Sequence, residues 1–366
     1  MTIPEVSPEQ VGIDKEQLKN AFSLIGWEVE EKHIPGAAAV VGRYGKIAGT
    51  FTAGQLMAEG PPVRFDTIYD CASLTKVVVT LPLLLKLVEL GQVDLNDPVS
   101  RYLSEFQEGR KGSITLRQLL THTSGLKPFV DGLFEGWDPE EIKQYIYRQD
   151  LNYETGTQVV YSDLGFIILG EIISGIYGQS LDEAAKTHIF QPLGMKDSQF
   201  NPPGELKDRI AATEFRKDLN RVMRGEVHDE RAFALGGVSG HAGLFSTAGD
   251  LARYASMWLN KGKIDGTSFF SPLTVEGACR NYTSSLNGNR GLGWVLKGDS
   301  FDASGDLFSQ ASFGHTGFTG TSIWMDPETN LFVVLLTNRV HFGRERPVVR
   351  LRRLFHNAVA ASVIQK

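Results

Sequence analysis

The chain has 366 residues, of which 42% are apolar and 22% charged, and its formal net charge is −6. This composition is typical of a folded protein with a sizeable core and excludes disordered and fibrous chains. A net acidic charge opposes nonspecific attraction to nucleic acid, and we expect no nucleic-acid partner. Two cysteines, Cys71 and Cys279, are too few for a disulfide framework.

The N-terminal sequence has acidic residues where a secretory signal would have basic ones. The longest apolar run falls short of the roughly 20 residues that span a bilayer. We therefore expect no membrane segment and a cytoplasmic location for the chain as written. An exported protein trimmed of its signal would show the same pattern.

Strand patterns lie near both ends of the chain, and helix patterns fill the middle. A helix is predicted over 7–31 with Ser7 as its N-cap, and strands over 37–41 and 47–51 form a hairpin. A second hairpin joins strands 322–325 and 331–336, and an amphipathic helix follows it. Further helices are predicted over 73–90, 114–120, 139–148, 164–177, 180–189 and 248–259.

We therefore predict an α+β fold, with an antiparallel sheet built from both chain ends and flanked by helices, and an inserted mostly helical subdomain. The chain is treated as one domain over 1–366. Residues 1–70 and about 290–366 would form the sheet region, and residues about 71–289 the helical region. Functional sites often lie at such a boundary.

The first candidate for chemistry is the run Ser-Leu-Thr-Lys at 73–76, at the start of a predicted helix. Residues three apart share a helix face, so Lys76 can reach the Ser73 hydroxyl and take its proton. The helix N-terminus favours an alkoxide on Ser73 and, if Lys76 is also desolvated, helps to hold Lys76 neutral. The alternative is that Ser73 is an N-cap and Lys76 faces solvent.

The second candidate is Tyr161-Ser162-Asp163, just before the helix predicted at 164–177. A tyrosine there could relay a proton if a nearby cation lowered its pKa. We expect Asp163 to cap the helix whatever Tyr161 does.

The third candidate is the run GHTGFTGT at 314–321, on and after a predicted strand. Its glycines would let a substrate lie close to the strand. His315 could offer a positive charge and Thr316 a hydroxyl to a substrate carboxylate, and the alternative is a glycine-rich turn with an exposed histidine.

These three motifs, in this order, resemble those of the serine β-lactamase and penicillin-binding-protein superfamily, on the side of class C β-lactamases, DD-peptidases and family VIII esterases. The resemblance covers roughly residues 35–338. Further similar phrases are LLTHTSGL at 119–126, PLGM at 192–195 and SGHAGL at 239–244.

The resemblance implies an acyl-enzyme on Ser73, with Lys76 as general base and Tyr161 sharing the proton transfer. The backbone N–H groups of Ser73 and Phe318 would form an oxyanion hole. The remaining substrate-binding positions would be Asp163, His315, Thr316, Gly317 and Phe318. No metal or cofactor is implied.

The substrate class stays open among small esters, β-lactams and D-amino-acid or muropeptide amides. Asp163 stands where many β-lactamases and peptidases have an asparagine, and an ionised carboxylate cannot donate a hydrogen bond to a substrate. This weakens the case for β-lactam hydrolysis. The alternative function is a penicillin-binding sensor or scaffold that acylates or binds without efficient turnover.

Two other features receive structural interpretations. His122 and His241 are interpreted as loop or packing residues. A basic stretch near the C-terminus is interpreted as the solvated face of a helix, and its members are Arg344, Arg346, Arg350, Arg352 and Arg353.

Overall fold

The computed structural model describes residues 3–107, 109–130, 132, 134 and 136–365. Residues 1, 2 and 366, at the ends of the predicted domain, lie outside this description. The strands are β1 Gly36–Arg43, β2 Lys46–Gly54, β3 Tyr69–Asp70, β4 Phe215–Arg216, β5 Arg221–Val222, β6 Phe245–Ser246, β7 Lys263–Ile264, β8 Thr267–Ser268, β9 Val295–Leu296, β10 Phe313–Thr316, β11 Ser322–Asp326 and β12 Leu331–Thr337.

The α-helices are α1 Lys15–Glu30, α2 Leu81–Glu89, α3 Leu116–Leu120, α4 Pro139–Tyr147, α5 Asp163–Tyr177, α6 Leu181–Ala185, α7 Gln191–Leu193, α8 Glu230–Ala234, α9 Ala248–Leu259, α10 Pro272–Ala278 and α11 Val349–Ala361. One π-helical turn, Lys76–Thr80, leads into α2, and another, Lys186–Phe190, joins α6 to α7. By length and apolar composition, no single helix within the described ranges could cross a bilayer. Only α5 together with Leu181–Leu193 passes that test, as a pair bent by 75°.

Six strands form one antiparallel sheet in the order β2-β1-β12-β11-β10-β9, so strands from both chain ends lie side by side. Two tight turns explain the hairpins. Tyr44 and Gly45 both adopt positive φ, at 52° and 70°, which is the two-residue turn that matches strand twist. Between β11 and β12, Asn330 adopts φ 51°, and Asp326 accepts a hydrogen bond from the Glu328 N–H. The predicted α+β fold with its sheet from both ends is confirmed.

Both faces of the sheet are covered, which explains why β1 and β12 are buried along their whole length. Alternate residues, such as Ala39 and Leu335, pack against α1 and α11. The intervening residues, such as Val40 and Val334, pack against the central helices, with α9 directly against the sheet. The division of the chain into two subdomains stays a prediction.

The first predicted helix, 7–31, is wrong at its start. Residues Pro8–Val11 form a short 3₁₀ turn that ends at Gly12, which has φ 69°. The helix proper begins at Lys15, because the Asp14 side chain caps it by accepting a 2.7 Å hydrogen bond from the Gln17 N–H.

Close packing between β1 and β12 yields a stability prediction. A Cβ added to Gly42 would lie 2.1 Å from the Phe332 ring and 2.6 Å from the Lys46 carbonyl oxygen. We expect Gly42→Ala to lower the free energy of unfolding by about 1–3 kcal/mol, measured by urea denaturation. Gly175→Ala is the matched control, since Gly175 lies in α5 with nothing within 4 Å, and it should raise stability by about 0.5–1 kcal/mol. Equal stability of the two variants would contradict this packing.

Candidate active site

The three predicted motifs meet at one cavity of about 480 Å³. Ser73 follows β3, Tyr161 precedes α5, and His315 lies on β10, and all three line this cavity. Asp163, Thr316, Gly317 and Phe318 line it too. The structure therefore brings together every residue named for the site, with Lys76 directly behind Ser73.

Ser73 is presented on a strained turn. Ala72 adopts φ 47°, a left-handed conformation that side chains other than glycine rarely take. The buried Asp70 carboxylate holds this turn by accepting hydrogen bonds from the Ala72 N–H at 2.8 Å and the His228 N–H at 2.7 Å. Such strain persists only where the surroundings enforce it, and it is common at functional positions.

Lys76 is completely buried, so the alternative in which it faces solvent is wrong. Its Nζ donates hydrogen bonds to Ser73 Oγ at 3.2 Å, to Asp163 Oδ1 at 2.8 Å and to the His241 carbonyl oxygen at 3.1 Å. Burial alone would lower the pKa of Lys76, but the Asp163 carboxylate and Tyr161 outweigh burial, and the pKa is raised. Lys76 is therefore an ammonium ion at neutral pH, contrary to the expectation that the helix N-terminus holds it neutral.

Tyr161 lines the cavity beside the other two groups, and its ring centroid lies 4.9 Å from Lys76 Nζ. Burial raises the pKa of Tyr161, and the positive charge of Lys76 only partly opposes this rise, so the phenol keeps its proton at neutral pH. The ring stacks against Phe301 at 5.3 Å and packs against His122 at 4.6 Å between centroids. These contacts hold the ring of Tyr161 in place in the cavity wall beside Lys76.

The helix after Tyr161 is not capped as predicted. Ser162 is the N-cap of α5, and its hydroxyl accepts a hydrogen bond from the Gly165 N–H. Asp163 is instead the first helical residue. Its two carboxylate oxygens face two cations, Lys76 at 2.8 Å and Arg231 at 3.4 Å.

His315 is buried and does not carry the expected positive charge. Its Nδ1 lies 2.8 Å from the Thr316 carbonyl oxygen, and because a carbonyl only accepts, Nδ1 bears the proton. Burial lowers the pKa of His315 well below its usual range, and the charges of Lys76 and Arg290 lower it further. The imidazole is therefore neutral, with Nε2 as an acceptor that has no partner among the described residues.

Backbone donors lie free beside Ser73. Within the described part of the chain, the N–H groups of Ser73 and Phe318 donate to no acceptor. The end of β10 approaches the turn that carries Ser73 so closely that a Cβ on Gly317 would lie 2.5 Å from the Cys71 carbonyl oxygen. Free donors converging from two segments are what an oxyanion hole requires, and this role stays a prediction.

Sequence reasoning missed Asp229 and Arg231 behind Lys76, and it interpreted His241 only as a loop or packing residue. Asp229 caps α8, and its Oδ1 lies 2.8 Å from His241 Nε2. Its Oδ2 accepts a 2.9 Å hydrogen bond from Arg231. The signal was an aspartate before a short helix, which predicts a cap and nothing more.

A metal could be considered at this cluster. One ligand atom from each of Asp163, Asp229 and His241 lies within 4.8 Å of the others. The ammonium of Lys76 and the guanidinium of Arg231 already contact the two carboxylates and neutralise them.

The C-terminal arginines are only partly a solvated face. Arg352 is buried and donates 2.8 Å hydrogen bonds to the carbonyl oxygens of Gly317 and Thr321. Arg344 lines the cavity and pairs with Glu214. The predicted interpretation is therefore wrong for Arg352, which fixes the strand end that borders the cavity.

A family model described as "Beta-lactamase" matches residues 22–358. The chain belongs to the β-lactamase family. It is 33% identical to a protein of Escherichia coli O157:H7 named "Putative D-alanyl-D-alanine carboxypeptidase", over 93% of this chain and 86% of that one. A protein of Salmonella agona with the same name is also 33% identical, over 94% of this chain and 87% of that one.

Solved structures of this family share the fold. "EstCE1, a hydrolase with promiscuous acyltransferase activity" has a TM-score of 0.76 at 21% identity, covering 94% of this chain and 99% of that one. A penicillin-binding protein homologue from Caulobacter crescentus has a TM-score of 0.76 at 20% identity, covering 96% of this chain and 99% of that one. The family and the names of its members identify the chain as β-lactamase-related and support a hydrolase.

The state of His315 can be measured directly. We expect its imidazole to stay neutral, with the proton on Nδ1, from pH 8 down to pH 5, because burial and neighbouring cations oppose a second proton. Nitrogen-15 chemical shifts of labelled histidine report both properties, and His315→Gln assigns the signal. Titration of this signal with a midpoint near pH 6.5 would contradict the prediction.

Proposed function

We propose that the chain is a serine hydrolase that forms an acyl-enzyme on Ser73 and acts on peptides ending in D-alanine, as a D-alanyl-D-alanine carboxypeptidase. One observation carries the proposal: Ser73 Oγ lies 3.2 Å from Lys76 Nζ, and Tyr161 lines the same cavity with its ring 4.9 Å from that Nζ. A serine hydroxyl becomes a competent nucleophile only with such a base within hydrogen-bond reach.

The geometry supports a two-step reaction. Ser73 Oγ attacks the peptide carbonyl carbon, and its proton passes to Lys76 once that amine has lost its own. The oxygen of the tetrahedral intermediate would sit between the N–H groups of Ser73 and Phe318. The Tyr161 hydroxyl then delivers a proton to the leaving amine, and water later cleaves the ester on Ser73.

The cavity wall supports a substrate with a carboxylate. Arg339 lines it and makes no salt bridge to a described carboxylate, and the Thr316 hydroxyl there makes no hydrogen bond to another described residue. Guanidinium groups are well suited to carboxylates. This wall and the names of the two curated relatives favour a peptide with a free C-terminus over a small neutral ester.

The nucleophile assignment is tested by covalent labelling. We expect a fluorophosphonate probe to label the wild-type protein, and Ser73→Ala to lose labelling completely, because the attacking oxygen is gone. Ser104→Ala is the control, since Ser104 is exposed and outside the cavity. Equal labelling of Ser73→Ala and wild type would overturn the assignment.

The substrate class is tested with the same preparation. Turnover of a peptide ending in D-Ala-D-Ala is compared with that of a short nitrophenyl ester and a cephalosporin. Release of D-alanine with the highest kcat/KM supports the carboxypeptidase. Dominant ester turnover would contradict the peptide substrate, and stable labelling without any turnover would favour the binding sensor.

The pKa of Lys76 predicts the pH dependence. Because this pKa is raised, the neutral amine is scarce at pH 7 and becomes more abundant as pH increases. We therefore expect the rate constant of fluorophosphonate labelling to rise by up to about tenfold per pH unit from pH 6 to pH 9. A plateau that begins near pH 6 would contradict Lys76 as the base.

A further inference from the structure

The Asp163 carboxylate is shared between two cations that come from different parts of the chain. Oδ1 accepts the 2.8 Å hydrogen bond from Lys76, and Oδ2 accepts the 3.4 Å contact from Arg231. Both oxygens of this carboxylate therefore already have a cationic partner within the protein. Its position in the cavity wall is therefore better explained by Lys76 than by substrate binding.

Arg231 is itself anchored. Asp229 binds the Arg231 guanidinium at 2.9 Å and accepts hydrogen bonds from the N–H groups of Arg231 and Ala232 at the start of α8. His241 adds a contact to Asp229 at 2.8 Å, and the carbonyl oxygen of His241 accepts from Lys76. Two series of contacts therefore connect α8 to Lys76. One passes through Arg231 and Asp163, and the other through Asp229 and His241.

The other groups around Lys76 do not replace Asp163. The Ser73 hydroxyl is a neutral hydrogen-bond partner, and the rings of Tyr161 and Phe166 lie 4.9 and 5.7 Å from Nζ. The remaining titratable groups in this region are His122, Asp229, Glu230, Arg231, His241, Arg290, His315 and Arg352. Among the described residues, Asp163 alone places an anionic oxygen in direct contact with Nζ.

We propose that Asp163 is the fixed counter-ion that retains the proton of Lys76, and that Arg231, anchored by Asp229, is a positioning residue that tunes this hold. The inference rests on the proposed acylation of Ser73. The negative charge of Asp163 stabilises the protonated form of Lys76, so the free amine forms only at higher pH. Arg231 pairs with the same carboxylate and so weakens this stabilisation.

The two charges therefore act in opposite directions. Neutralising Asp163 should let Lys76 lose its proton at lower pH, since an adjacent opposite charge changes a pKa by about 1–3 units. Once Arg231 is neutralised, Asp163 should pair with Lys76 alone, and Lys76 should keep its proton to a higher pH. A merely structural role for either residue would move the pH dependence in neither direction.

The experiment measures the rate constant of fluorophosphonate labelling of Ser73 from pH 5 to pH 10 in Asp163→Asn, Arg231→Met and the double variant. We expect the alkaline rise to begin about 1–3 pH units lower in Asp163→Asn, with faster labelling at pH 7. In Arg231→Met the rise should begin at a higher pH than in the wild type. In the double variant, loss of Arg231 should add little, because its effect passes through Asp163.

Glu230→Gln is the matched control, because Glu230 lines the same cavity and loses the same charge but pairs with Arg344 and does not contact Lys76. Its pH dependence should coincide with that of the wild type. Circular dichroism and thermal denaturation verify folding, and Arg231→Met gives an independent sign should Asp163→Asn fail to fold.

The outcomes separate this inference from the proposed function. Opposite shifts in the two single variants support it. A fall in labelling by the same factor at every pH in Asp163→Asn, or an equal shift in Glu230→Gln, would overturn it while Ser73-dependent labelling still supported the hydrolase. Absence of Ser73-dependent labelling in the wild type would overturn the proposed function itself.

Discussion

The ammonium group of Lys76 is buried in the interior, and much of the site follows from what such a group requires. An isolated charge in a low-dielectric interior costs several kcal/mol unless hydrogen bonds and an opposite charge surround it. Lys76 receives them from its own turn, from the start of α5 and from the loop before β6. Segments far apart in the chain are thereby held at one point, directly behind Ser73.

The sheet is fastened to the same point by a second set of contacts. The hydroxyls of Thr319 and Thr321 donate to the carbonyl oxygens of Asp70 and Cys71, at 2.8 and 3.1 Å. Arg352 binds the opposite side of this segment through the Gly317 and Thr321 carbonyls. The run from Thr316 to Thr321 thus combines a cavity wall with a structural clamp. A backbone N–H held in place within this run, such as that of Phe318, suits the proposed reaction, in which negative charge develops on an oxygen atom.

Local signals explain which parts could be predicted. The hairpins follow from strand periodicity and turn residues, and the spacing of Ser73 and Lys76 predicts their contact wherever a helical turn forms. Asp163 was misassigned as a cap because Lys76 and Arg231, with which it pairs, are 87 and 68 residues away in the chain. Local sequence patterns do not predict pairs so far apart. The first helix failed differently. Ser7 begins only a short turn, and the stronger cap, Asp14, lies seven residues further on.

The positive charges around the cavity also explain its histidines. His122 and His315 are buried near Lys76 and Arg290, and burial together with these charges lowers the pKa of each imidazole well below its usual range. A second ammonium at position 315 would add repulsion to a region that already holds buried cations. A neutral imidazole avoids this repulsion and still provides an acceptor at Nε2. In the proposed mechanism, proton transfer is therefore assigned to Lys76 and Tyr161, and its pH dependence to the carboxylate that faces Lys76.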